Sequence, residues 1–208
     1  LDDHPVVEKR AELRSLMNVP KLFTLSWHPG GQWAGNYRPL TLVSFSLNLL
    51  FSEKPAGFHV VNIILHALNT VLVFACAVQF MSRRAAFVGA TLFMFLPIHV
   101  EPVASIAARN GLLGTFFLLL ALYWFFRKRR IPSVLSFLLA LLSSDFSILF
   151  LPLAGVLLLV EHRNLRVSFR AWLWYLIPLV AYFPFRFLAL GKYAFGGYGF
   201  IDPIIGPL

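Results

Sequence analysis

The stretch PIHVEPVASIAARNG, residues 97–111, decides the fold. It is polar, and it is pinned between two apolar runs that carry no charge, residues 85–96 and 112–126. Together residues 85–126 number 42. That is about two crossings of a ~30 Å hydrocarbon core at ~20 residues each. No length is spare for a wide loop. His99, Glu101, Arg109 and Asn110 are therefore expected at one membrane face, partly within its depth. Ionisable side chains are costly there and mark functional sites by default.

The rest of the chain agrees with this class. It is 59% hydrophobic and 13% charged, with 22 Phe in 208 residues. Soluble domains hold roughly 45–50% apolar and 25% charged residues. The fold class is all-α, a polytopic helical membrane protein. The single Cys, Cys76, lies inside an apolar run. It builds no disulfide framework and reads as a helix-packing residue. A net charge of +9 would suit a nucleic-acid partner. Its distribution does not: the basic groups follow apolar runs, as Arg83-Arg84, Arg127-Lys128-Arg129-Arg130 and Arg163, Arg166 and Arg170. That is the pattern of cytoplasmic loop anchors, and no nucleic-acid motif accompanies it.

Three regions follow in order. Residues 1–56 form a large first outer loop that opens on Asp2-Asp3. Its residues 40–51, LTLVSFSLNLLF, predict a helix in the membrane interface, with Ser44, Ser46 and Asn48 interrupting an apolar face. Pro29-Gly30-Gly31 is a turn, and Trp27, Trp33 and Tyr37 suit an aromatic belt. Residues 57–190 form the membrane bundle, with spans expected at 58–81, 85–104, 107–126 and 171–190. Between the last two, residues 132–160 hold two apolar runs split by Ser143-Ser144-Asp145. Each run is about 13 residues, or ~20 Å as helix, so a short hairpin with its tip in a protein-lined cavity is expected. Residues 191–208 are a Gly- and Pro-rich outer loop. The chain opens on Leu1 with no apolar anchor before the acidic pair, which leads us to expect a further span upstream in the natural protein.

Placing Arg83-Arg84 in the cytoplasm fixes the remaining loops by alternation. Nine of the 18 basic residues then lie inside, with Glu161 the single acid beside them. The other eight acids fall outside, in keeping with the positive-inside rule. Asp2-Asp3, His99, Glu101, Arg109, Asn110, Asp145 and Lys192 are thereby expected on one non-cytoplasmic face.

Several constellations there can carry chemistry. Adjacent carboxylates such as Asp2-Asp3 divide roles, because repulsion separates their affinities for a proton. A solvated turn or helix cap is the plainer account. His99 and Glu101, two apart, do not share a helix face, so Pro97 and Pro102 imply a turn there. A cation or a phosphate-linked substrate would suit them. Zinc does not fit, since the six His are scattered with no HxxxH spacing. No cofactor is required by these residues, and a divalent cation is the one addition they would accept. Arg186 lies near the outer end of the last span, where it can bind a phosphate or snorkel. His59, Asn62, His66 and Asn69 form a polar stripe on the first span, suited to hydrogen bonding between helices.

The motifs Tyr37-Arg38-Pro39-Leu40-Thr41, Phe58-His59-Val60-Val61-Asn62 running to His66, and Pro97-Ile98-His99-Val100-Glu101 with Arg109 occur in that order behind the acidic pair. As a set they resemble the transmembrane and tetratricopeptide-repeat O-mannosyltransferases and their bacterial relatives, within the GT-C glycosyltransferase superfamily. The resemblance covers most of the chain. It implies a GT-C-like bundle in the endoplasmic reticulum membrane or a bacterial inner membrane. It implies transfer of a sugar, usually mannose, from a polyprenyl-phosphate donor to a hydroxyl acceptor on a protein or glycan. By the same analogy Asp2 is the general base and Asp3 its partner. By that analogy His99 and Glu101 line the donor-phosphate region with Arg109, and Asn110, Asp145, Arg186, Lys192 and Arg38 are further residues expected to bind the donor. Membrane lipid and other membrane proteins complete the expected partners, with no nucleic acid.

The chain also departs from the family pattern. Asn110-Gly111 stands where members commonly carry Ala-Asp, and Ser144-Asp145 where they carry Lys-Glu. No 34-residue period marks a tetratricopeptide repeat. A second reading is therefore a non-catalytic GT-C-like subunit that binds a lipid or a partner protein. A transporter is the third, without an inverted repeat to support it.

Overall fold

The computed structural model describes residues 10–27 and 35–191. Every regular element among them is helical. After two short 3-10 turns the chain forms α1 (Val19–Leu22), α2 (Pro39–Leu49) and α3 (Pro55–Ala77). α3 has 23 residues and Pro55 in its first turn, and is about 34 Å long. Asn62 and Asn69, seven apart, turn inward on it, while Val60, Ile63, Ile64, Leu68 and Val71 are exposed. An apolar exterior around a polar interior stripe suits a helix whose solvent is lipid.

α4 (Arg83–Phe95) starts where the Ser82 hydroxyl accepts from Ala85 N. It stops before Pro97, which has no N–H to give and pushes Leu96 to an extended ψ of 127°. A 3-10 turn (Pro97–His99) and α5 (Val100–Ala104) follow, bent by 51° from α4. An extended Ser105 then leads into α6 (Arg109–Phe126). Lys128 adopts a left-handed φ of 57° and reverses the chain into α7 (Arg130–Ser143). The 3-10 turn Asp145–Leu149 runs on into α8 (Phe150–His162). A second left-handed residue, Arg163, precedes α9 (Leu165–Trp172). The 3-10 turn Leu173–Leu176 joins α9 to α10 (Ile177–Leu190).

Among the described residues, four helical stretches are long and apolar enough to cross a membrane: Pro55–Ala77, Arg109–Phe126, Asp145–His162 and Leu165–Leu190. The bent pair α4–α5 makes a fifth if it counts as one broken span. The chain is thus an all-α, multi-pass membrane protein.

Two cores organise it. Phe137, Leu141, Phe150, Ala154, Tyr175 and Tyr182 join α7, α8 and α10. Leu13, Leu22, Trp27, Phe45, Phe58 and Ile106 tie the N-terminal segment to the start of the bundle. Ion pairs mark two separate turn clusters. Lys128 Nζ and Glu161 Oε1, 2.5 Å apart, join the α6–α7 turn to the end of α8. Asp145 and Arg186 join the α7–α8 turn to the far end of α10.

Three expectations are corrected. The polar positions of the helix expected in the interface face the protein, not water. α2 buries Thr41, Ser46 and Asn48, its polar positions, and exposes Leu47. The reason is hydrogen bonding: Ser46 Oγ donates to Leu13 O at 2.8 Å and Thr41 Oγ1 to Ser143 O at 2.9 Å. The expected aromatic belt does not form at Trp27 and Tyr37, which are 2% and 0% exposed; Trp33 lies outside the described residues. The hairpin arms are also unequal. α7 has 14 residues, whereas Asp145–His162 continues for 18, because the 3-10 turn hands over to α8 without a break.

Candidate functional site

Among the described residues, one half-buried charged cluster joins three distant segments. Arg38 precedes α2 and belongs to the YRPLT motif, Asp145 opens the turn after α7, and Arg186 stands on α10. Arg186 Nη1 donates to Asp145 Oδ1 in a close ion pair. Tyr182 Oη donates to the same oxygen at 2.8 Å, and Arg186 Nη1 also reaches Tyr182 Oη at 2.8 Å. Arg186 Nη2 donates to Gly35 O at 2.8 Å, which ties α10 to the loop before the motif. On the other side, Arg38 Nε stands 3.5 Å from Asp145 Oδ2. That distance is within ion-pair range but too long for a good N–H···O bond. The Arg38 guanidinium lies over the Trp27 ring, 5.2 Å from its centroid.

The side chains of Arg38, Arg186 and Asp145 are 12%, 14% and 24% exposed, so the cluster is partly shielded yet reachable. Among the described residues, two guanidinium groups face the Asp145 carboxylate. Local sequence holds the parts in place. Pro39 starts α2 directly after Arg38, and Thr41 one turn on grips the Ser143 carbonyl beside Asp145. Tyr37 anchors the other side, donating to Phe23 O at 2.7 Å and packing on Tyr182 at 5.6 Å between centroids. Burial pushes the Tyr37 phenol well above its ordinary range, so it stays a neutral donor.

Arg109 lies elsewhere and is fully enclosed, at 0% exposure. Its Nε donates to Asn62 Oδ1 at 2.8 Å. Its Nη2 donates to Asn48 Oδ1 at 2.9 Å and to Phe58 O at 3.0 Å. The rings of Phe45 and Phe58 hold the guanidinium, with centroids at 4.8 and 5.3 Å. Asn62 Nδ2 in turn donates to Ser105 O at 3.0 Å. The motifs FHVVN and ARN thus meet α2 around one buried cation, and the Asn62 amide that Arg109 orients gives its N–H groups to the Val103 and Ser105 carbonyls, which the break leaves without helical partners.

His99 lines a third place. A groove of about 700 Å³ runs between α3 and the α4–α5 bend, bordered by His59, Ile63, His66, Met94, His99 and Val103. The His66 and His99 rings are 5.0 Å apart, with Phe93 beside both. His66 Nε2 lies 3.1 Å from Met94 O, so this nitrogen carries the proton. His66 Nδ1 and His99 Nε2 are buried without a hydrogen-bond partner. Glu101 is exposed and does not join the groove, and Asn110 is part-buried at the start of α6. Among the described residues no group of three or more His, Cys, Asp and Glu is placed to hold a metal ion.

Of the residues expected at the site, the structure gathers Arg38, Asp145 and Arg186. It sets Arg109 in a separate buried network, His99 in the groove and Glu101 at the surface. Asp2, Asp3 and Lys192 lie outside the described residues. Tyr182 is the participant that sequence reading missed. Its spacing of four from Arg186 on one helix was the available signal.

No family model matches the chain, and no solved structure matches it. Curated relatives do. The chain is 32% identical to Protein O-mannosyl-transferase TMTC3 of Homo sapiens over 131 residues, which are 62% of this chain and 13% of that protein. It is 36% identical to Protein O-mannosyl-transferase F38B6.6 of Caenorhabditis elegans over 141 residues, 64% of this chain and 20% of that one. Against Protein O-mannosyl-transferase TMTC1 of Homo sapiens the identity is 47% over 89 residues, 41% of the chain and 10% of the relative. The resemblance drawn from the motifs is thus to proteins named as O-mannosyl-transferases. The chain spans between a tenth and a fifth of the length of these three relatives.

Proposed function

We propose that the chain is the membrane part of a glycosyltransferase. In this reading it moves a sugar, with mannose the first choice, from a polyprenyl-phosphate donor to a protein hydroxyl on the non-cytoplasmic side. The observation that carries it is the meeting of Arg38, Asp145 and Arg186 from three segments, beside relatives named for protein O-mannosyl transfer. A shielded place where two guanidinium groups converge suits a donor phosphate, because guanidinium groups bind phosphate with paired N–H groups. The apolar groove with its two imidazoles suits an isoprenoid chain. Arg109 acts at a distance by holding the polar stretch in its bent form. Asp2 is the general base for the acceptor hydroxyl, with Asp3 beside it.

The test uses purified full-length protein and measures donor binding and single-turnover transfer separately. Asp2→Asn should lose transfer by about 10²–10⁴-fold, the usual contribution of a positioned base, and keep donor binding. Arg38→Gln should weaken donor binding. Full transfer by Asp2→Asn would move the base elsewhere. A folded wild type without donor binding or transfer, across mannosyl and glucosyl polyprenyl phosphates, would remove the enzyme reading. It would leave the non-catalytic lipid- or partner-binding subunit, which the internal pairing of Arg186 with Asp145 favours.

A further inference from the structure

We propose that α9 is a headgroup-reading helix that seats the bundle on anionic phospholipid. The helix LRVSFRAW divides into three faces at 100° per residue. Ser168 and Ala171 are buried against the bundle, and Ser168 Oγ donates to Leu158 O at 3.0 Å. Leu165 and Phe169, four apart, form a second face that is 76% and 59% exposed. Arg166 and Arg170, also four apart, form the third face and are exposed.

The helix is held rigidly. The Asn164 side chain caps it by accepting from Arg166 N at 3.0 Å and Val167 N at 3.3 Å. At its other end Trp172 Nε1 donates to Leu151 O at 2.9 Å. The apolar face is therefore offered outward by construction, next to the cationic one.

Charge complementarity selects the occupant. The Lys128–Glu161 pair brings the α6–α7 turn beside the start of α9. Arg130, stacked on Trp174 at 5.7 Å, continues the basic surface. The α6–α7 turn and the segment from Arg163 to Arg170 thus supply seven basic residues, Arg127, Lys128, Arg129, Arg130, Arg163, Arg166 and Arg170, with Glu161 as the acid between them in sequence, and Lys128 and Arg130 stand beside that acid. A water-facing anion alone would leave Leu165 and Phe169 in water. A phospholipid surface satisfies both faces, with phosphate against Arg166 and Arg170 and acyl chain against Leu165 and Phe169. This inference does not depend on the glycosyltransferase reading.

Native mass spectrometry of the full-length protein, with phosphatidylserine and phosphatidylcholine in competition, tests it. The wild type should retain phosphatidylserine preferentially, and added salt should erode the preference. Arg166→Gln/Arg170→Gln should lower it by on the order of 30-fold, from two charges near the surface. Arg166→Lys/Arg170→Lys should keep most of it, which also excludes misfolding as the cause. An unchanged preference in the Gln variant, or equal loss in the Lys variant, overturns the proposal. Capture of poly-glutamate without any lipid preference would overturn it in favour of an acidic protein partner.

Discussion

Arg109 Nε donates to Asn62 Oδ1 at 2.8 Å, and Asn62 Nδ2 donates onward to the Ser105 carbonyl at 3.0 Å. One amide therefore links the start of α6 to the broken backbone before it. The pair is fully buried, and among the described residues no carboxylate accepts from this guanidinium. Carbonyls, amides and two Phe rings stabilise the charge instead.

Arg109→Ala should destabilise the protein by on the order of 3 kcal/mol, because it leaves Asn62, Asn48 and Phe58 acceptors unpaired. Thermal unfolding in detergent measures this. The double variant with Asn62→Ala should cost less than the sum of the singles, by about 0.5–3 kcal/mol, as residues in one network couple. Strict additivity would show that the two act independently.

Gly114 and Gly89 should respond to Ala in opposite directions. A Cβ at Gly114 would meet Ser144 Cβ at 2.7 Å, so α6 could not keep its approach to the turn at residues 143–147. A loss of about 1–3 kcal/mol is expected from such overpacking. A Cβ at Gly89 meets nothing within 4 Å, and α4 should gain about 0.5–1 kcal/mol from the better helix former. Unfolding midpoints of the two variants test the contrast.

Tyr37→Phe should cost about 1 kcal/mol by leaving the Phe23 carbonyl without its donor. The pH response has a definite sign. Burial raises the phenol's pKa, so the unfolded chain loses this proton first. Stability from Tyr37 is complete below the unfolded value, near 10, and declines as pH rises past it. Unfolding measured from neutral to alkaline pH should show a shallower decline in Tyr37→Phe than in the wild type.

Cysteine labelling tests sidedness. Cys76 is buried and should be replaced by Ser to give a silent background. Single cysteines at 101 and 128, both exposed positions, should then label from opposite sides of an intact membrane. Labelling of both from one side without permeabilisation would sink the assigned topology.

The sequence alone determined the class. Uncharged runs on both sides of residues 97–111 admit no soluble packing, and proline at 97 breaks the helix wherever the chain is placed. It also pointed to Asp145 and Arg186, since a charge within or beside an apolar span is rare enough to stand out, while Arg38 entered with the YRPLT motif. What it could not decide was which way polar side chains face. Ser46, Asn48 and Thr41 look the same whether they meet water or a buried carbonyl, and only tertiary contacts turned α2 inward. Arg109 and Arg38 were likewise alike as lone cations in polar motifs. The fold surrounded Arg109 with Asn62, Asn48 and Phe58 and set Arg38 beside the Asp145 carboxylate. Those partners lie 47 to 107 positions away for Arg109–Asn62 and Arg38–Asp145. Hydrogen bonds and ion pairs act over a few ångströms, so separation along the chain hides them until the helices are packed.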